Sequence, residues 1–160
     1  MKTFVLVFAA AALVGCAQDQ SLGSYNFTIT GTDTQTSPTA NTTAASGTGA
    51  LVITRGKTDA YLVTVANSDT GSCTLKGTKK KDDSAMSFEL AANQPCVLRS
   101  GSNSVNATIT TGTVTLTVTQ VAQNEYRKDI SMAVSFTWTY TAFGITFAGT
   151  GTRTYAGPEL

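Results

Sequence analysis

Few residues in this 160-residue chain can do chemistry, and the missing types narrow the field first. There is no histidine. Histidine-dependent triads, dyads and metal sites are therefore excluded, because the side chain that titrates near neutrality and ligates metals is not available. Three cysteines occur, Cys16, Cys73 and Cys96. Distant cysteines without a histidine do not make a zinc cage, so no metal and no other cofactor is expected. One cation stands out. Arg153 shares parity with Ile145 and Phe147 and so belongs to the apolar side of its strand. With Phe136 and Trp138 on the preceding strand it forms a candidate ligand site. A guanidinium there would pair with the carboxylate of a fatty acid or similar anion, and the rings would hold its apolar body. The alternative is a strand-end arginine whose guanidinium snorkels to water.

The N-terminus carries a second kind of chemistry. Lys2 is followed by an apolar run from Phe4 to Val14, then Gly15 and Cys16. A cation and about eleven apolar residues make a secretory signal, too short for the roughly twenty residues of a membrane span. Leu13-Val14-Gly15-Cys16 resembles the lipobox of bacterial lipoproteins. That resemblance covers the first sixteen residues. It implies cleavage before Cys16, a diacylglyceryl group on the Cys16 thiol, and acylation of the new amino group. The competing possibility is an ordinary secreted protein cut within Ala9 to Ala12. Each buried methylene contributes about 0.8 kcal/mol, so two or three chains anchor a protein firmly. Ala17 follows the cysteine. Lipoproteins kept at the inner membrane tend to carry aspartate there, so the outer membrane is favoured if the host has one. Export also bears on the remaining cysteines: in an oxidising compartment Cys73 and Cys96 are an even pair, and a disulfide is expected, against two free buried thiols.

Other motifs are weaker. Asp69-Thr70-Gly71-Ser72 resembles the Asp-Thr-Gly loop of aspartic proteases, which need two aspartates sharing a proton, the second supplied here by a dimer. Asn67 and Ser68 intervene between it and the preceding apolar strand, and a hairpin turn accounts for the same residues. Gly56-Lys57-Thr58 lacks the upstream glycine of a phosphate loop. Lys2 lies in the leader, so ten basic groups would balance ten acidic ones in the mature chain. There is no electrostatic case for nucleic acid or for an anionic lipid surface.

The elements that must position these residues read as strands. Apolar and polar residues alternate at period two, and no long segment has helical period. Tyr25, Phe27 and Ile29 form an unpaired first strand. Ile53 pairs with Tyr61, and Leu51 with Val63. Leu75 faces Met86, and Cys73 faces Phe88. Val105, Ala107 and Ile109 meet Val114, Leu116 and Val118 across a turn at Thr111-Gly112. The longest strand, Ile130 to Tyr140, returns to Ile145 and Phe147 with Phe136 opposite Gly149. Thr32 to Thr48, rich in Thr, Ser, Asn and Ala, reads as a long flexible loop.

The expected architecture is an all-β, antiparallel up-and-down meander of about ten strands. It forms a closed or partly open barrel, lipocalin-like in outline, with a β-sandwich as the alternative. A membrane-spanning barrel would turn the same alternation inside out, with strands of nine to eleven residues or more. The chain divides into a signal at 1–15, lipidated Cys16 with a tether to residue 24, and one domain at 25–160. The function expected is a non-catalytic, lipid-anchored binding module of the cell envelope, for a small apolar ligand or an envelope partner. Alternatives are a structural surface lipoprotein without a pocket, and the protease.

Overall fold

The computed structural model describes residues 20–56, 60–67, 71–80, 86–100 and 103–160. Cys16 and the residues 1–15 read as a signal lie outside the described residues. The chain is all β. Nine strands run in order as β1 (Gln20–Ser37), β2 (Asn41–Arg55), β3 (Ala60–Asn67), β4 (Gly71–Lys79), β5 (Met86–Leu90), β6 (Gln94–Ser100), β7 (Asn103–Ala122), β8 (Glu125–Ala142) and β9 (Ile145–Pro158).

All nine join one antiparallel sheet, and eight of them close into a barrel-like ring. Apart from β5 and β6, strands consecutive in sequence pair with each other, and β9 returns to pair with β1. β5 and β6 share one place in the ring, each bridging β4 and β7. Between them the chain kinks at Asn93, whose φ is 61°. The Gln94 side chain spans the resulting gap. Its Oε1 accepts from the Lys76 amide at 2.5 Å, and its Nε2 donates to the carbonyls of Lys76 and Ala91 at 3.0 and 2.7 Å. A side-chain amide thus stands in for a missing rung of backbone pairing.

The interior is apolar and the outside is largely threonine and serine, the reverse of a lipid-facing barrel. Tyr25, Leu51, Ile53, Val63, Val114 and Met132 are fully enclosed. Two aromatic pairs brace the packing. Tyr61 stacks on Phe88 with centroids 4.7 Å apart, and Phe27 meets Tyr155 edge-on at 5.1 Å. Cys73 on β4 and Cys96 on β6 are joined as a disulfide with Cα atoms 4.9 Å apart.

Several expectations are corrected. The first strand is not unpaired: Ile29 lies between Gly47 of β2 and Tyr155 of β9. The segment 32–48 is no loop but the turn-proximal part of the β1–β2 hairpin, whose strands pair from Gln20↔Arg55 to Gln35↔Asn41. Ile53 pairs with Val63, and Phe136 with Gly151, each two residues from the expected register. Phe88 lies opposite Lys79 rather than Cys73, and Met86 is exposed at the strand end. Shifts by an even number leave every side chain on its face, so the alternation cannot distinguish them.

The expected hairpin at Thr111-Gly112 is absent. β7 runs straight through, 20 residues long. Ala107 and Ile109 have odd numbers, Val114 and Leu116 even ones, yet all four are buried. A bulge reconciles them: Ile109 faces Phe136, Thr111 faces Ser135, and Thr110 has no partner in the register. The Thr110 hydroxyl donates to the Ser135 carbonyl at 3.0 Å. The phase change in hydrophobicity marks this extra residue, not a reversal of the chain.

Deleting Thr110 forces either Ala107 and Ile109 or Val114 and Leu116 into water. Each buried aliphatic side chain of Val or Leu size contributes about 1.5–3 kcal/mol. The deletion variant is expected to lose cooperative thermal unfolding by circular dichroism. A sharp wild-type-like melt would refute the bulge's role.

Candidate functional site

The ring has two unlike ends. β1 begins beside Arg55, at the end where β2 passes to β3 and β7 to β8. The opposite end carries the β1–β2 and β8–β9 turns. The latter is a two-residue turn at Phe143 and Gly144, both with positive φ, at 51° and 76°. That pairing matches the twist of the flanking strands and leaves the Phe143 ring fully in solvent.

A cavity of about 270 Å³ opens at this second end. It is lined by all three residues singled out from sequence, Phe136, Trp138 and Arg153. Sequence reasoning missed its other half. Asp33 and Gln35 of β1 and Asn41 and Thr43 of β2 also line it. All four fall within 32–48, the segment read as a loop. The signal that would have found Asp33 and Gln35 is their odd parity, shared with Tyr25, Phe27 and Ile29.

Strand register arranges these residues in two rungs. One runs Thr43, Asp33, Gly151, Phe136, and the next runs Asn41, Gln35, Gly149, Trp138. Each rung is polar on β1 and β2 and aromatic on β8, with a glycine of β9 between. The glycines are required by close approach. A Cβ on Gly149 would come within 2.5 Å of the Trp138 ring, and one on Gly151 would strike Phe136 and reach Asp33 Oδ1 at 2.6 Å. The missing side chains let both rings lie across the sheet. The Trp138 indole N–H is fixed by the Thr150 carbonyl at 3.2 Å. Above them Tyr140 and Phe147 form a tilted pair with centroids 5.5 Å apart.

Arg153 lies one rung below Asp33, is 7% exposed, and is not free to await an anion. Its Nη2 donates to Asp33 Oδ2 at 2.7 Å. Its Nη1 donates to the carbonyls of Thr152 at 2.9 Å and Thr32 at 3.4 Å. The guanidinium also stands over the Phe136 ring, 5.1 Å from the centroid. The snorkelling alternative is likewise not what the structure shows, since the head group is turned inward. On the other side of the pair, Asp33 Oδ1 is buried without a hydrogen-bond partner.

Burial raises the phenol of Tyr155, the next inward residue of β9, to about 12. The Arg153 charge pulls it back down and Asp33 adds to the rise. A larger, shallower hollow of about 480 Å³ covers the bulge at Thr110, but no aromatic ring lines it. The Asp69-Thr70-Gly71 segment connects neighbouring antiparallel strands, since Asn67 ends β3 and Gly71 opens β4; Asp69 and Thr70 lie outside the described residues.

Comparison with protein-family models and with curated proteins gives no match, so the functional case rests on this site.

Asp33→Ala strands a buried guanidinium, and that kind of loss costs roughly 3 kcal/mol. In urea unfolding, Asp33→Ala combined with Arg153→Met is expected to be less destabilised than Asp33→Ala alone. Additive losses would show that the two groups do not interact. The Tyr155 phenol gives a pH signature. The unfolded chain releases that proton near pH 10 and the native one near 12. The native state holds more protons in between, so stability falls as pH rises through that window. The urea midpoint is expected to drop from pH 9.5 to 11.5, and Tyr155→Phe to flatten the drop.

Proposed function

We propose that this chain is a non-catalytic binding domain of the cell envelope, held on a membrane by lipid at Cys16, that takes up a small ring-bearing molecule in the cavity at its far end. The observation that carries the binding reading is the cavity wall itself. Four aromatic side chains, Phe136, Trp138, Tyr140 and Phe147, converge on about 270 Å³ beside a buried ion pair. Ligand sites are concave, mostly apolar and set with a few polar groups, and span roughly 300–1,000 Å³. At about 270 Å³ this one falls just below that range, which suits a compact molecule better than a long acyl chain.

Its polar groups suit holding rather than reacting. The Asp33 carboxylate is engaged by Arg153 at 2.7 Å, and the remaining polar lining is amide and hydroxyl. Anchoring is supported by Leu13-Val14-Gly15-Cys16, and outer-membrane placement by Ala17. The start of β1 at Gln20 and the cavity mouth lie at opposite ends of the ring. On this reading, a domain anchored through Cys16 is entered at the end away from the mouth, so the mouth faces away from the bilayer.

Trp138 is the chain's only tryptophan, so its fluorescence reports on the site directly. The uncharged probe N-phenyl-1-naphthylamine is expected to bind at one equivalent and quench Trp138 by energy transfer. Leu98→Phe, which narrows the cavity without adding a second indole, is expected to weaken that binding at least tenfold. In cells, labelled palmitate is expected to enter the wild-type protein and not Cys16→Ser, which moves to the soluble fraction. Absence of saturable probe binding would overturn the binding reading. Unlabelled, freely soluble wild-type protein would overturn the anchoring.

A further inference from the structure

We infer that the ligand of this cavity is an uncharged, polyhydroxylated ring, a saccharide unit, rather than a fatty acid or another ion. The inference rests on the cavity being a binding site and adds the class of molecule it takes. Two features of the wall select that class.

The first is charge. Arg153 was the residue expected to attract a carboxylate, but it sits against Asp33 at 2.7 Å, and the pair is neutral as a unit. An incoming anion would meet the Asp33 carboxylate beside the guanidinium, and an incoming cation would meet the guanidinium beside the carboxylate. In a partly buried site either loses much of its hydration without a net opposite charge to replace it. The pair still has hydrogen-bonding capacity of both signs. Two of the five N–H groups of Arg153 are not engaged, and the Asp33 side chain remains 22% exposed beside its bond to Arg153, although its Oδ1 is closed off from solvent. A hydroxyl both donates and accepts, so neighbouring hydroxyls on one ring suit such a pair.

The second is the division of the wall. Asp33, Gln35, Asn41 and Thr43 form a two-by-two polar patch, because Asp33 pairs with Thr43 and Gln35 with Asn41. The aromatic wall faces the same space from β8 and β9, one glycine away along each rung. Asn41 and Thr43 are exposed, and the Gln35 amide donates to the Thr39 carbonyl at 2.9 Å, leaving its oxygen to accept. A purely apolar ligand would cover these groups without replacing their water. A pyranose has the matching division. Its C–H face lies flat on an aromatic ring, and its hydroxyl rim reaches planar amides and carboxylates at the side.

The test is displacement of N-phenyl-1-naphthylamine from the full mature chain. The competitors are methyl glucoside, N-acetylglucosamine and their β-linked disaccharides, set against glucuronate, glucosamine and octanoate. Competitive displacement is expected from at least one neutral sugar, at least tenfold more effective than its charged counterpart. In Asn41→Ala and Thr43→Val, both checked for a wild-type melting profile, the ratio of sugar to naphthylamine affinity is expected to fall at least tenfold. If the probe binds but only octanoate displaces it, the cavity takes a lipid anion and the inference is wrong. If the probe binds and no competitor displaces it, or the two substitutions leave the affinity ratio unchanged, the inference is again wrong while the binding function stands. If the probe itself does not bind, the binding function fails, and this inference with it.

Discussion

Only one face of this sheet is dry, and every apolar side chain competes for it. A strand sends alternate residues to opposite sides, so an inward position is a matter of parity before it is a matter of size. Closing the sheet into a ring turns that rule into a global constraint. A one-residue slip anywhere would turn an entire row of core residues to water. The bulge at Thr110 is the place where the sequence changes phase and the backbone absorbs it. Without the extra residue, one half of β7 or the other could not contribute to the interior.

The same constraint shapes the cavity. Below Arg153 the interior is packed by Tyr25, Leu51, Val63, Val114 and Met132. Above it, inward positions are taken by Gly149 and Gly151 on β9 and by polar residues on β1 and β2. Packing stops because too few side chains of sufficient size remain to fill the ring. The aromatic rings of β8 occupy the volume the glycines give up, and what is left stays open. The buried Arg153–Asp33 pair marks the boundary between the two regimes. It satisfies most of the polar groups at the floor, with Oδ1 as the exception.

Parity was legible in the sequence and register was not. Ile53 and Val63, or Phe136 and Gly151, lie on the faces the alternation assigned them, but two residues from the partners it suggested. Even-numbered shifts cost nothing in burial, so turn geometry and sheet curvature decide among them. Of the site, Phe136, Trp138 and Arg153 were visible because they continue an apolar row. Asp33, Gln35, Asn41 and Thr43 were hidden because β1 and β2 lose their apolar alternation where they leave the packed core. A strand that borders a hollow does not need greasy side chains. Its composition then imitates a loop, although at Asp33 and Gln35 the strand lies in register with β2 on one side and β9 on the other.

The stacking of a solid lower half beneath a hollow upper half separates two jobs that most small domains must perform with the same residues. Selection acting on what is recognised can exchange Asn41, Thr43, Tyr140 or Phe147 at the rim, where few neighbours constrain them. The residues that keep the chain folded are not touched by such exchanges. A scaffold divided in this way can change its specificity in small, independent steps, each with little effect on whether the molecule survives.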